Sequence, residues 1–116
     1  MTLDPEQLLR KAYEVFNARK IDEALALMCD DVVWPNGMEG GVVHGHSGVR
    51  EYWTRQWAMI NPTVHPIEIR EEADGCLDLE VHQLVKDLQG TVLVDRTVHH
   101  VYRLRDGRIA SMEIRE

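Results

Sequence analysis

The chain has 116 residues and carries 13 Lys and Arg against 20 Asp and Glu, which gives a formal net charge of −7. This length suits one domain with one hydrophobic core, and we expect that domain to span residues 1–116. The negative balance disfavours nucleic acid and anionic membranes as partners, because both favour a basic surface. No apolar run approaches the ~20 residues that a membrane-spanning helix needs.

Motifs of several large enzyme classes are missing from the sequence. Cys29 and Cys76 match no metal or redox spacing, and no secretory signal is seen, so we expect reduced thiols in a cytoplasmic protein. The sequence contains no phosphate-binding loop, dinucleotide glycine fingerprint, nucleophile elbow or zinc-protease helix. We therefore expect no cofactor, and any chemistry must come from residues that the fold brings together.

Helical patterns dominate the first half of the chain. Asp4, followed by Pro5 and then Gln7, predicts a capped helix start, and the apolar stripe behind it ends near Asn17. A second, short helix is predicted to start near Asp22 and to include the apolar residues Ala24, Leu25 and Met28.

A predicted strand, Val32-Val33-Trp34, ends at Pro35 and precedes a third helix. The glycine-containing segment 38–45 predicts an ordered loop or a short hairpin. Ser47 is the predicted cap of the third helix. One face of that helix is predicted to carry Val49, Tyr52, Trp53, Gln56, Trp57 and Ile60.

The second half reads as β structure from Thr63 onward. Its turn signals, Asp74-Gly75, Gln89-Gly90 and Asp106-Gly107, are spaced one hairpin apart and predict a four-stranded antiparallel meander. Three-residue loops at the two Asp-Gly turns and a two-residue loop at Gln89-Gly90 bring apolar residues opposite one another. The predicted pairs are Ile69–Leu79, Ile67–Val81, Val81–Val98, Val85–Val94, Leu79–His100, Tyr102–Ala110 and His100–Met112.

This register predicts a polar row on the sheet face that the helices cover. His65 is expected opposite Gln83, Gln83 opposite Arg96, and His100 nearby on the same face. A buried polar group without a partner costs ~1–3 kcal/mol. The row is therefore either a self-satisfied network or the polar part of a small-molecule pocket.

The opposite sheet face is too apolar to be wholly solvated. It is predicted to carry Glu80, His82, Leu84, Leu93, Thr97, His99 and Val101. Because exposed apolar patches commonly mark contacts, we expect a homodimer through this outer face.

Two segments carry a family resemblance that extends from about Leu8 to Ile114. One is the helix end Phe16-Asn17-Ala18, and the other is the final hairpin, Tyr-Arg-Leu-Arg-Asp-Gly-Arg-Ile at 102–109. With these segments the chain resembles the SnoaL-like branch of the nuclear transport factor 2-like superfamily, which includes polyketide cyclases and ketosteroid isomerase. The resemblance implies an α+β cone, in which a curved antiparallel or mixed sheet of about five strands wraps a long N-terminal helix and encloses a deep pocket. Two further helices and a homodimer are also implied.

The general base of ketosteroid isomerase has no counterpart here, because its place before Pro35 is taken by Trp34. The place of its oxyanion tyrosine falls nearest Ala12, with Tyr13 beside it. The resemblance therefore implies a similar pocket with different chemistry.

Other pocket positions of that enzyme do have counterparts. Its protonated carboxylic acid matches His100 when aligned from the final hairpin, or His99 when aligned from the preceding turn. Its aromatic residue on the third helix matches Trp53, and its pocket methionine matches Met112.

From these residues we predict proton transfer beside a carbonyl group of a small hydrophobic molecule, as in an isomerase, cyclase or dehydratase. His100 is the predicted proton carrier, and Arg96 the catalytic cation that holds a carboxylate or an enolate oxygen. Burial near Arg96 is expected to lower the pKa of His100. The predicted substrate-binding residues are Tyr13, Trp34, Trp53, Trp57, His65, Gln83, Tyr102 and Met112. A non-catalytic ligand-binding or dimerisation module of the same fold is the alternative.

A metal site is the weaker reading of His44 and His46. Two histidines two residues apart can share a metal ion, with His65 or His82 as a third ligand, but nothing in the sequence fixes that third ligand. We therefore expect no metal.

Overall fold

The computed structural model describes residues 4–37 and 39–115. Within them the chain forms three helices and six strands. In chain order these are α1 (Pro5–Asn17), α2 (Ile21–Ala26), β1 (Met28–Pro35), β2 (Val42–His44), α3 (Gly45–Met59), β3 (Ile60–Glu71), β4 (Leu77–Asp87), β5 (Val92–Arg105) and β6 (Arg108–Arg115). The predicted α+β class is thus confirmed, with one strand more than expected.

All six strands belong to one curved sheet, in the order β2-β1-β6-β5-β4-β3. Only β1 and β6 run parallel; the other neighbours are antiparallel, so β3 to β6 form the predicted meander. The additional strand, β2, pairs with β1 and makes the short hairpin that was one of two readings of 38–45. Met38 itself lies outside the described residues.

Helix α1 is fixed to the sheet at its C-terminal end. Its start has the predicted capping box, in which Asp4 and Gln7 exchange side chain–backbone hydrogen bonds. At its end, the Asn17 amide nitrogen donates to the Val64 carbonyl oxygen at 2.8 Å, and the Asn17 amide oxygen accepts from the Val64 N–H at 3.0 Å. The side chain of Asn17 thereby pairs with β3 as a strand would. This contact gives the Phe16-Asn17-Ala18 segment a structural role.

Three predicted boundaries in the first half were wrong. Met28 begins β1 instead of continuing α2, and Ile60 begins β3 instead of ending α3. Helix α3 starts at Gly45 with His44 at the N-cap position, three residues ahead of the predicted cap Ser47, and His44 makes no side-chain capping hydrogen bond. Gly45 has a φ of +73°, and this left-handed turn lets the helix follow directly on β2.

A β-bulge in β3 overturns half of the predicted β3–β4 register. Ile69 pairs with Leu79 as predicted, but Pro66, not Ile67, lies opposite Val81. Ile67 is the extra residue, and it is 55% exposed. Because side chains alternate between the two sheet faces, this one-residue shift places each β3 residue before the bulge on the face opposite to the predicted one.

The β5–β6 pairing differs from the prediction by two residues. Asp106 and Gly107 both have positive φ values, 54° and 76°, and form a two-residue turn instead of the predicted three-residue loop. An irregularity between Arg103 and Leu104 adds one residue, so Tyr102 pairs with Met112 and His100 with Ile114. A two-residue shift leaves every side chain on its predicted sheet face, so Met112 remains on the inner face of the sheet.

The core lies between α1, α3 and the concave face of the sheet. Fully buried residues include Leu9, Val32, Val49, Leu79, Val81 and Ile109. Cys29 and Cys76 are both buried and unbridged. Over the described ranges, every helix is too short or too polar to cross a membrane.

Candidate functional site

A cavity of about 240 Å³ lies between the concave sheet face and helices α1 and α3. Its walls are largely aromatic and aliphatic, as is typical of small-molecule sites. Of the predicted site residues, the lining includes Tyr13, Trp34, Trp53, Gln83, Arg96, His100, Tyr102 and Met112. The structure thus brings eight of the ten predicted site residues to one cavity.

At the buried end of this cavity, three polar side chains form a hydrogen-bonded chain. The Tyr102 hydroxyl donates to the Tyr13 hydroxyl, with 2.8 Å between the oxygens. The Tyr13 oxygen lies 2.8 Å from Nδ1 of His100. When Tyr13 accepts from Tyr102 and donates its own proton to Nδ1, the neutral imidazole carries its proton on Nε2.

Burial keeps this end of the cavity uncharged near neutral pH. It lowers the pKa of His100 from 6.5 to about 4, because the imidazolium loses its hydration. Arg96 is not among the causes of this shift, so the predicted direction is confirmed and the predicted contribution of Arg96 is not. Burial also raises the pKa of both Tyr13 and Tyr102 above the usual range for tyrosine.

Aromatic rings form one wall beside the polar chain. Trp34 packs edge-on against Trp53, with 5.6 Å between ring centroids, and Trp53 packs against Phe16 at 5.0 Å. The ring of Trp34 also packs against the ring of Tyr102, with 6.3 Å between the ring centroids. Such a wall suits a flat, apolar ring system.

At the opposite end of the cavity, towards the β4–β5 turn, the lining residues are more exposed. Along the inner side of β5, His100 and Val98 are 6% and 1% exposed, whereas Arg96 is exposed and Val94 partly so. Gln83 lies directly across from Arg96, and its amide oxygen accepts from the Arg96 Nε–H at 3.0 Å. The predicted Gln83–Arg96 pair is therefore confirmed, at the mouth of the cavity.

Two predicted binding residues lie elsewhere. The bulge in β3 places His65 opposite His82 on the outer face, so the predicted His65–Gln83 pair is wrong. Trp57 is not part of the lining; it packs behind the wall against Phe16 and under the guanidinium of Arg19.

The structure also decides between His99 and His100. His99 lies on the outer face, where its Nδ1 is 2.8 Å from Asp78, and His100 faces the cavity. Neither histidine of the His44/His46 pair lines the cavity: His46 contacts the Met28 carbonyl oxygen at 3.0 Å, and His44 occupies the N-cap position of α3. Among the residues that the structure describes, no group of three His, Cys, Asp or Glu side chains is placed to hold a metal ion.

Sequence reasoning missed the residues that replace His65 in the cavity. With the register shifted by one, Val64 lies opposite Gln83 and lines the cavity with Pro62. Pro66 was an available signal, because proline inside a strand marks an edge strand or a bulge, and β3 is both an edge strand and bulged.

The geometry favours hydrogen-bond donation over proton abstraction. A neutral imidazole that carries its proton on Nε2 can donate to a carbonyl or enolate oxygen. A group with a pKa of about 4 is a weak base near neutral pH. The described residues of the lining include no carboxylate, so the position of the isomerase base is not filled from another strand.

Most of the chain matches one known protein family. The sequence profile of the SnoaL-like domain matches residues 9–112. No curated protein matches the sequence.

Solved structures resemble this fold closely. TerC, co-crystallised with polyporic acid, is 28% identical with a TM-score of 0.80, over 92% of this chain and 86% of that one. An NTF2-like protein of unknown function from Burkholderia pseudomallei is 28% identical with a TM-score of 0.81, over 94% and 87%. A Mycobacterium tuberculosis protein in complex with estradiol-17β-hemisuccinate is 20% identical with a TM-score of 0.79, over 92% and 88%.

Proposed function

Because the chain belongs to the SnoaL-like domain family, we propose that it binds a small hydrophobic carbonyl compound and catalyses proton transfer next to the carbonyl group. The observation that carries this proposal is the Tyr102–Tyr13–His100 chain at the buried end of an aromatic cavity. The ring compounds bound by TerC and by the Mycobacterium tuberculosis protein support a ring-shaped ligand. Isomerisation, cyclisation and dehydration all share this proton-transfer step.

In the proposed mechanism, Nε2–H of His100 donates to the carbonyl oxygen. As the α-carbon C–H bond breaks, its electron pair moves into the enolate, and the developing negative charge on oxygen is stabilised by that donor. Since the described lining offers no carboxylate, the proton passes to water or to a basic group of the substrate, and returns to carbon in the product. Tyr13 and Tyr102 hold the imidazole in the donating tautomer, and Trp34 and Trp53 exclude water from the ring face.

We expect His100→Asn to separate the two roles of the imidazole. Asn retains an acceptor near Nδ1 for Tyr13 but has no donor at the position of Nε2, whereas His100→Gln restores a donor there. With carbonyl-¹³C-labelled β-tetralone as the probe, the carbonyl stretching frequency should fall on binding to the wild type and to His100→Gln, but not to His100→Asn. Hydrogen–deuterium exchange at the α-carbon should be at least about ten-fold slower with His100→Asn than with the wild type.

These two readouts distinguish the functions. A lowered carbonyl frequency without accelerated exchange would favour the alternative, a ligand-binding module that does not catalyse. An unchanged frequency with bound ligand in the wild type would contradict the proposed contact with His100.

We also propose that two chains associate through the outer sheet face, in the cytoplasm. The support is the apolar pair Leu84 on β4 and Leu93 on β5, of which Leu93 is 54% exposed. Sedimentation should show a dimer at micromolar concentration, and Leu93→Glu should shift it towards monomer, because a carboxylate in an apolar contact is poorly solvated. A wild-type monomer at that concentration would remove the proposal.

A further inference from the structure

Among the described residues of the cavity wall, one buried polar atom has no hydrogen-bond partner in the protein. Over the described ranges, such buried side-chain atoms are Oε1 of Gln56 and Nε1 of Trp57. Of these two residues, only Gln56 belongs to the cavity lining. A buried acceptor without a partner lowers stability, and in native proteins such a group commonly has a functional reason. Gln56 is therefore a position where the cavity wall offers an acceptor to a ligand.

The other end of the Gln56 amide is held by Tyr52. Nε2 of Gln56 donates to the Tyr52 hydroxyl oxygen at 3.3 Å, and the backbone N–H of Gly37 donates to the same oxygen at 3.1 Å. Tyr52 and Gln56 are four residues apart on α3, so their side chains are neighbours on one helix face. With Nε2 directed to Tyr52, the amide oxygen is the end that a ligand can bind.

The Gln56–Tyr52 pair and His100 line the same cavity, whose volume is about 240 Å³. A Cβ atom at Gly37 would lie 3.7 Å from the Tyr52 hydroxyl oxygen and 3.9 Å from Cδ1 of Ile114. Ile114 is in turn the cross-strand partner of His100. The terminal torsion of a glutamine is soft, so Oε1 can turn towards a ligand without a change of rotamer. One ring compound can therefore contact both Gln56 and His100.

Resting on the proposed function for the carbonyl end, we propose that Gln56 is a specificity-determining residue and that the ligand is a ring ketone with a hydroxyl group. The carbonyl oxygen binds His100, and the hydroxyl donates to Oε1 of Gln56. This second contact disfavours ketones that lack the hydroxyl, because they leave Oε1 buried and unpaired. Two separate hydrogen bonds also fix the orientation of the ring, which a single bond to the carbonyl oxygen does not.

Hydroxylated and fluorinated probes test this assignment. The ring-hydroxylated isomers of β-tetralone and the matching ring-fluorinated isomers have similar shapes, but only the hydroxyl donates a hydrogen bond. Isothermal titration calorimetry should show that the wild type binds at least one hydroxylated isomer about five-fold more tightly than its fluorinated match. Gln56→Met keeps the length of the side chain and removes the amide. It should lower this ratio to less than about two-fold, and unchanged binding of the fluorinated isomer would show that the variant is folded.

Gln89→Met is the matched control. Gln89 is exposed and lies outside the cavity lining, so the same replacement leaves the cavity unchanged and the hydroxyl preference should survive. The proposal would be overturned by a ratio below about two-fold for every isomer in the wild type, by a preference that persists in Gln56→Met, or by one that is lost equally in Gln89→Met. A methyl ether of the preferred isomer that binds as tightly as the hydroxyl compound would also overturn it, because an ether accepts a hydrogen bond but cannot donate one.

The outcome is separable from that of the carbonyl experiment. A hydroxyl preference that depends on Gln56, together with an unchanged carbonyl frequency, would support the role of Gln56 and contradict the contact with His100. A lowered carbonyl frequency without a hydroxyl preference would support His100 and contradict Gln56. If the wild type binds none of these tetralones, the ring ketone is the wrong ligand class and the role of Gln56 is wrong with it.

Discussion

Lowering the pH from about 7 to about 4.5 should reduce the unfolding free energy of the wild type by about 2 kcal/mol more than that of His100→Asn. The reason is the burial of His100, which lowers its pKa from 6.5 to about 4 in the folded protein. Between these two pH values the unfolded chain binds a proton at this position and the folded chain does not. Unfolding therefore takes up a proton, and the unfolding free energy decreases as the pH is lowered through this window.

The comparison with His100→Asn isolates this effect from other groups that titrate in the same range. Urea denaturation at several pH values measures both unfolding free energies, and His44→Gln serves as a second control because His44 is exposed and outside the cavity. The His44→Gln variant should follow the wild type. Parallel pH profiles for the wild type and His100→Asn would contradict the assigned environment of His100. A direct NMR titration that finds His100 protonated near pH 6 would contradict it independently.

Whether the sequence places a site residue on the correct sheet face depends on whether the predicted strand register is wrong by an even or an odd number of residues. The β5–β6 pairing was wrong by two residues, and His100, Tyr102 and Met112 still face the cavity as predicted. The β3–β4 pairing was wrong by one residue before the bulge, and His65 was assigned to the opposite face. Turn signals indicate where strands begin. A bulge adds a residue within a strand, and the alternation of apolar residues continues on both sides of it, so the alternation does not reveal the bulge.

The chemistry of the site was less predictable than its composition. The pattern of α1 identified Tyr13 as one member of a helical stripe, and the β5 pattern placed His100 and Tyr102 on one face. That the Tyr13 hydroxyl meets both partners depends on the position of α1 across the sheet. Asn17 helps to fix that position through its paired hydrogen bonds to Val64, and only the folded structure shows this connection.

His100 was predicted to take or give a proton, and its contact with Tyr13 in the middle of the polar chain favours the donating role. Had His100 been solvated, its ordinary pKa would have suited proton abstraction near neutral pH. Buried and hydrogen-bonded to Tyr13 at Nδ1, His100 is neutral near neutral pH, and in the tautomer that accepts from Tyr13 its proton is on Nε2. Under the proposed function, His100 therefore binds the substrate oxygen and does not abstract the substrate proton.

Tyr13→Phe should accordingly be the most damaging single change in the polar chain. It removes both hydrogen bonds of the chain and leaves the Tyr102 hydroxyl and Nδ1 of His100 buried without partners. We expect a loss of about 2–4 kcal/mol of unfolding free energy, because each stranded polar group costs about 1–3 kcal/mol. Tyr102→Phe removes a single bond, leaves Tyr13 still donating to His100, and should cost only about 1 kcal/mol.

The double variant Tyr13→Phe/Tyr102→Phe tests whether the three groups form one chain. Once Tyr13 is gone, Tyr102 holds a buried hydroxyl without an acceptor, so removing that hydroxyl as well should cost nothing further or restore some stability. The double variant should therefore be no less stable than Tyr13→Phe alone, as measured by urea denaturation. Strictly additive losses would show that Tyr102 does not act through Tyr13. ¹⁵N NMR adds a second readout, since His100 should lose its preference for the Nε2–H tautomer in Tyr13→Phe and retain it in Tyr102→Phe.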